Sequence, residues 1–109
     1  MPPVSVIRPI PSLAHPLGPL QRATHQTVVE GPGDVDSSIR RQVALGEPPP
    51  DVAVLVRKIR EHAYKVTDAD IDALRDRYSE DQLFELIVAA ALGAAEYRLH
   101  RALAALDGA

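Results

Sequence analysis

All ten prolines fall in the first fifty residues, and the series ends in Pro48-Pro49-Pro50. A proline ring fixes φ and removes a backbone donor, so neither long helices nor central strands are expected before Asp51. Residues 51–109 carry no such restriction. The chain therefore divides into an extended, Pro-rich arm over 1–34 and a helical domain over 35–109. The arm is not a polar linker. Val4, Val6, Ile7, Ile10, Leu13, Leu17, Leu20, Val28 and Val29 are scattered through it, and disordered linkers are poorer in large aliphatics. Two readings fit: a plain leader, or an arm that lies along a partner with its aliphatic side chains in shallow grooves.

Past the arm, hydrophobic spacing predicts helices. Asp36 to Gly46 reads as a short one, with Asp36 or Ser37 accepting from the first free amides and Gly46 closing it in the left-handed region. In 51–66, Val52, Leu55, Val56, Ile59, Ala63 and Val66 recur at three and four, which is one helix face. Pro48 to Pro50 stand at its entrance, where proline is tolerated. Thr67 and Asp70 resemble a capping box opening a short helix over 68–77, with Ile71 and Leu74 inward. Ser79 and Gln82 form a second box, with Glu80 and Asp81 in the first turn. The helix they open runs over 80–106, with Gly108 closing it. Phe84, Val88, Ala91, Leu92, Ala95, Leu99, Leu103 and Leu106 make a broad apolar stripe along it. Its centre, Ala89 to Ala95, is nearly all small residues and predicts a tight contact with a second helix around Gly93.

These elements make an all-α protein, a small helical bundle of about sixty ordered residues. A core of that size seldom stands alone without staples. The chain has no cysteine, so no disulfide assists, and completion by homo-oligomerisation is expected. Absence of cysteine also excludes thiol nucleophiles and thiolate metal sites and suits a reducing compartment. The N-terminus lacks a basic start followed by an apolar run, so no secretory signal is expected. The longest nearly apolar run, Leu86 to Ala95, has ten residues, about half of what a membrane-spanning helix needs. A cytoplasmic protein that does not enter a membrane is the expectation. The net charge is -3 and only four residues are aromatic. No basic stripe with interleaved aromatics occurs, so nucleic acid is not an expected partner.

The segment Ser79 to Ala95, SEDQLFELIVAAALGAA, has an acidic capped start, then Leu-Phe-Glu, then an Ala-rich apolar run. It resembles the corresponding helix of the alkylhydroperoxidase D (AhpD-like) / carboxymuconolactone decarboxylase family. The resemblance covers roughly residues 38–106 and rests on this motif and on helix order. In that family the long helix follows a helix bearing Cys-x-x-Cys-x-x-x-His and then a short helix. Counting back from Leu83-Phe84-Glu85, the reactive motif would fall near Glu61, Tyr64 and Asp68. No cysteine stands there or anywhere else. Disulfide chemistry needs an attacking thiolate and a resolving thiol, and neither a carboxylate nor a phenol supplies them. The resemblance thus implies a degenerate member without peroxidase activity.

Some acid–base constellations remain. Glu85, Glu96 and His100 share one side of the long helix, about 20° and 60° round from Glu85. Glu96 and His100, at i and i+4, could pair as an oriented base, although a structural salt link is the commoner meaning of such a pair. His62 and Tyr64 beside Glu61 form the second group. In the family fold this neighbourhood lines a small pocket near a subunit interface. The plain alternative is a helix end where His62 and Lys65 meet the last carbonyls. His15, His25, His62 and His100 show no metal-ligand spacing, no phosphate loop is present, and no cofactor is expected.

Two functions follow. The first is a non-redox helical oligomer acting as an accessory or structural subunit, which binds a protein partner through the arm or takes a small ligand. The alternative is a small acid–base enzyme, a lactone or carboxylate decarboxylase or isomerase, using His62, Tyr64, Glu85, Glu96 and His100.

Overall fold

A computed structural model describes residues 19–108. These are helical, with no strand among them. Helix α1 spans Pro19–His25 and runs into a π-helical turn, Gln26–Glu30. Helix α2 is Ser37–Leu45, and α3 is Ala53–His62, flanked by 3-10 turns at Pro50–Val52 and Ala63–Lys65. Helix α4 is Asp68–Asp72, and α5 is Glu80–Gly108. Of the segment expected to be an extended arm, residues 19–30 are coiled and docked on the chain's own body. Val29 is fully buried there. Residues 1–18 lie outside the described residues, as does His15.

Local signals set most helix ends. Gly46 closes α2 with φ 82°, its amide bonded to the carbonyls of Gln42 and Val43. That left-handed backbone is the one glycine adopts without steric cost. Thr67 and Asp70 form a reciprocal capping box. Gln82 accepts from the Ser79 amide at 2.9 Å, and its own amide donates to Ser79 Oγ at 3.1 Å. Asp36 behaves otherwise than expected. Its side chain caps no amide and instead accepts from Ser38 Oγ at 2.8 Å. The single helix expected over 51–66 loses its α conformation at His62, where φ is -151° and ψ 69°. The short helix ends at Asp72, and a series of turns carries the chain on to Tyr78, whose amide bonds the Leu74 carbonyl.

The core lies where α2 and α3 pack on the first half of α5. Val43, Val52, Leu55, Val56 and Ile59 meet Leu83, Leu86, Ala89 and Ala90, with Leu74 closing one end. On α5 the buried face is thus not the expected stripe. It is Leu83, Leu86, Ala89, Ala90, Gly93 and Ala94. The stripe points the other way, with Phe84 68% and Leu106 73% exposed. A helix apolar on both sides gives periodicity no means of ranking them. The expected close helix contact is present. A Cβ placed on Gly93 would sit 2.0 Å from the Ala44 carbonyl oxygen, so α2 crosses α5 backbone to backbone.

Candidate functional site

The stretch from Glu61 to Asp68 sits at the surface. Glu61, His62, Lys65 and Asp68 are exposed, and Tyr64 is 80% exposed. The His62 and Tyr64 rings meet edge to face with centroids 5.8 Å apart. Among the described residues nothing buries either ring. An exposed imidazole and phenol do not form the dry, convergent site that acid–base catalysis uses.

Each carboxylate oxygen of Glu85 is engaged by a backbone amide. The side chain accepts from the Asp34 amide at 2.7 Å and the Val35 amide at 2.8 Å. Burial alone would raise its pKa, but those two amides and the Arg40 charge outweigh burial and hold it below the usual glutamate range. A carboxylate so held is a poor proton acceptor. The opposing element is Arg40, the one charged side chain buried among the described residues. Its Nε donates to the Val35 carbonyl at 3.0 Å and its Nη1 to the Val28 carbonyl at 2.9 Å, while Nη2 reaches the Gly31 carbonyl. The residue carries no sequence signal, because its partners are carbonyls that any residue could supply.

Glu96 pairs with His25 rather than with His100. His25 Nδ1 lies 2.8 Å and 3.0 Å from its two carboxylate oxygens. This bond joins α1 to α5 across 71 residues of sequence. His100 is exposed on the core-facing side of α5, beyond the point where α2 ends. Glu96 and His100 nonetheless line one open groove, while Glu85 and the His62–Tyr64 pair lie elsewhere, so the five candidates occupy three separate places.

Two surface hollows accompany them. One, about 250 Å³, lies between α1 and the stripe, lined by Leu20, Thr24, Leu92, Ala95 and Leu99 with Glu96 at its side. The other is an open groove of about 590 Å³ between the end of α2 and the second half of α5. Arg60, Tyr97, His100 and Arg101 line it over a floor that includes Ala44, Gly93 and Ala104. The i to i+4 spacing of Tyr97 and Arg101 was the available sequence signal for it. Among the described residues no group of three or more His, Asp or Glu converges as a metal site, and no helix is long and apolar enough to cross a membrane.

The Asp51 region is structural. Tyr78 donates to Asp51 Oδ2 at 2.7 Å, tying the end of the turns after α4 to the start of α3. Burial first, and then the Asp51 carboxylate, push the Tyr78 phenol up.

Comparison of the chain with protein-family models, curated proteins and solved structures found no match.

Proposed function

We propose that this protein is a non-redox, AhpD-like helical subunit that assembles with further copies of itself and acts as an accessory or structural component. It would bind a protein partner or a small ligand, in the cytoplasm. The observation that supports this is the apolar face of α5 that lies opposite the core. Phe84, Ala91, Ala95 and Leu106 are exposed there, and Val88 is half-buried. Phe84, Ala95 and Leu106 recur at eleven residues, as do Val88 with Leu99 and Leu92 with Leu103. A repeat of about 3.67 residues per turn keeps such a stripe on one side of a nearly straight helix. Its small members allow a second helix to approach closely. A second copy of α5 matches it in length and in kind.

The AhpD-like assignment rests on the Leu83-Phe84-Glu85 motif within its Ala-rich helix and on an order of helices, α3, α4 and α5, that agrees with the expected one. The acid–base alternative has less support, because its five residues are scattered and Glu85 and Glu96 are already engaged.

The test is a mass in solution against the 11.8 kDa of one chain. A multiple of that mass is expected. Ala95→Glu and Leu106→Glu, both at exposed positions, are expected to give a folded monomer. A wild-type monomer with a sharp unfolding transition overturns the reading. Removing residues 1–18 tests the arm: weaker assembly or loss of a partner is expected, and unchanged behaviour makes the segment a leader.

A further inference from the structure

We propose that the groove between the end of α2 and the second half of α5 is a binding site for a small organic anion, one with a phosphate or carboxylate head on an apolar body. This names the ligand for the ligand-binding part of the reading above and rests on that part alone.

The argument starts from charge. The chain is net acidic, and several of its cations are neutralised locally. Arg41 meets Glu30, Lys58 meets Asp70, Arg75 meets Asp72, and Arg77 meets Asp51. At the groove this pattern breaks. Arg60 and Arg101 line the groove against Tyr97, Arg98 bonds the Arg60 carbonyl beside them, and none of the three forms an ion pair with a carboxylate among the described residues. Arg57, one turn before Arg60, is exposed and adds to the field. The acid that lines the groove, Glu96, is engaged by His25. His100 supplies a further donor.

The guanidiniums are also held in place. Arg60 Cζ lies 4.6 Å from the Tyr97 ring centre. It abuts Gly46 as well, where an added Cβ would come within 2.9 Å of Cζ and Nη1. The bare backbone of that glycine lets the guanidinium lie close against it. Arg101 Cζ lies 5.9 Å from the same ring, and its Nη1 donates to Tyr97 Oη at 3.3 Å. Arg98 Nη2 donates to the Arg60 carbonyl at 2.6 Å. Each guanidinium has five donors in a fixed fork, so most remain free for an oxyanion. A planar, preorganised fork takes carboxylate and phosphate in bidentate fashion. The floor of Ala44, Gly93 and Ala104, with half-exposed Tyr97 beside it, offers the body of the ligand an apolar and aromatic surface.

The experiment is an NMR titration of the full chain with phenyl phosphate, benzoate, inorganic phosphate and benzyl alcohol. Phenyl phosphate or benzoate is expected to give saturable shifts centred on Leu45, Arg60, Tyr97 and Arg101. Inorganic phosphate is expected to bind more weakly than phenyl phosphate, and benzyl alcohol not to saturate. Losing one charge-assisted contact should weaken binding about tenfold in Arg101→Gln and in Arg60→Gln. Arg101 is exposed, so its variant keeps the fold even if Arg60→Gln does not. Four results would overturn the site. They are no saturable shift with either organic anion, the alcohol binding as well as the anions, inorganic phosphate binding as well as phenyl phosphate, and undiminished affinity in the folded Arg101→Gln variant. Assembly is read separately by mass, on the opposite side of α5, so either proposal can fail alone.

Discussion

Arg40 and Glu85 hold one stretch of backbone from opposite sides. Arg40 takes the carbonyls of Val28, Gly31 and Val35, and Glu85 takes the amides of Asp34 and Val35. The segment has no regular ladder to satisfy these groups, and buried backbone must be paired somewhere. One cation and one anion from α2 and α5 do so, and they fix the path by which the chain enters the core at Val29 and Val35.

Removing the cation should therefore unfold more than a salt link would. Arg40→Met preserves much of the side chain's length but leaves the carbonyls without a donor. Each orphaned buried group costs about 1–3 kcal/mol, so a loss of roughly 3 kcal/mol is expected in urea unfolding. A loss below about 1 kcal/mol, the usual worth of an exposed pair, would mean that water replaces the guanidinium.

The anion makes stability depend on pH, and the sign is set. The folded pKa of Glu85 lies below its ordinary value of 4.5. Its contribution is therefore fully present above that value and is lost as pH falls through the folded one. Wild type should exceed Glu85→Gln in stability at about pH 6, and the gap should shrink as pH falls below 4.5 and through the lowered folded pKa. A gap that stays constant over this range would show that the amide of glutamine substitutes fully or that the carboxylate is not depressed.

What the sequence disclosed was local. Gly46, the Thr67–Asp70 pair and the Ser79–Gln82 pair act within a few residues, so their chemistry can be read from spacing alone. The close approach at Gly93 was legible too, because small residues massed in a long helix have few other uses. The exposed stripe was readable as apolar but not as outward, since Leu83, Leu86 and Ala90 offer an equally apolar face. Glu85 and Arg40 were not readable in their roles. Their partners are backbone groups, those of Glu85 some fifty residues away, and any residue carries such groups. Glu96 looked ready to bond His100 four residues on, and α1 brought His25 to it instead.

At Gly93 two effects oppose each other, so the sign of a substitution is informative. Helix propensity alone predicts that Gly93→Ala stabilises by about 1 kcal/mol. A Cβ 2.0 Å from the Ala44 oxygen demands that α2 and α5 separate, and overpacking of this kind costs about 1–3 kcal/mol. Net destabilisation is expected by thermal or urea unfolding. The control is Ala105→Gly, at an exposed position of α5 outside the stripe and the groove, which should lose at most about 1 kcal/mol by propensity. A more stable Gly93→Ala protein would mean that the helices do not cross this closely.

The bond between His25 and Glu96 should govern α1 alone. No residue of α1 is buried, and its hold on α5 includes this pair and Leu20, Gln21 and Thr24 at the hollow beside Leu92. Local opening is cheap in an element with so little buried area. His25→Ala should therefore raise hydrogen exchange in the α1 amides about tenfold, while α2 and the first half of α5 keep their protection. Glu96→Gln should do the same to a lesser degree, because a neutral amide still bonds the imidazole. Unchanged exchange in α1 would show that contacts other than this pair seat the helix. Exchange raised equally throughout the chain would show that α1 is part of the cooperative core and not an appendage latched to it.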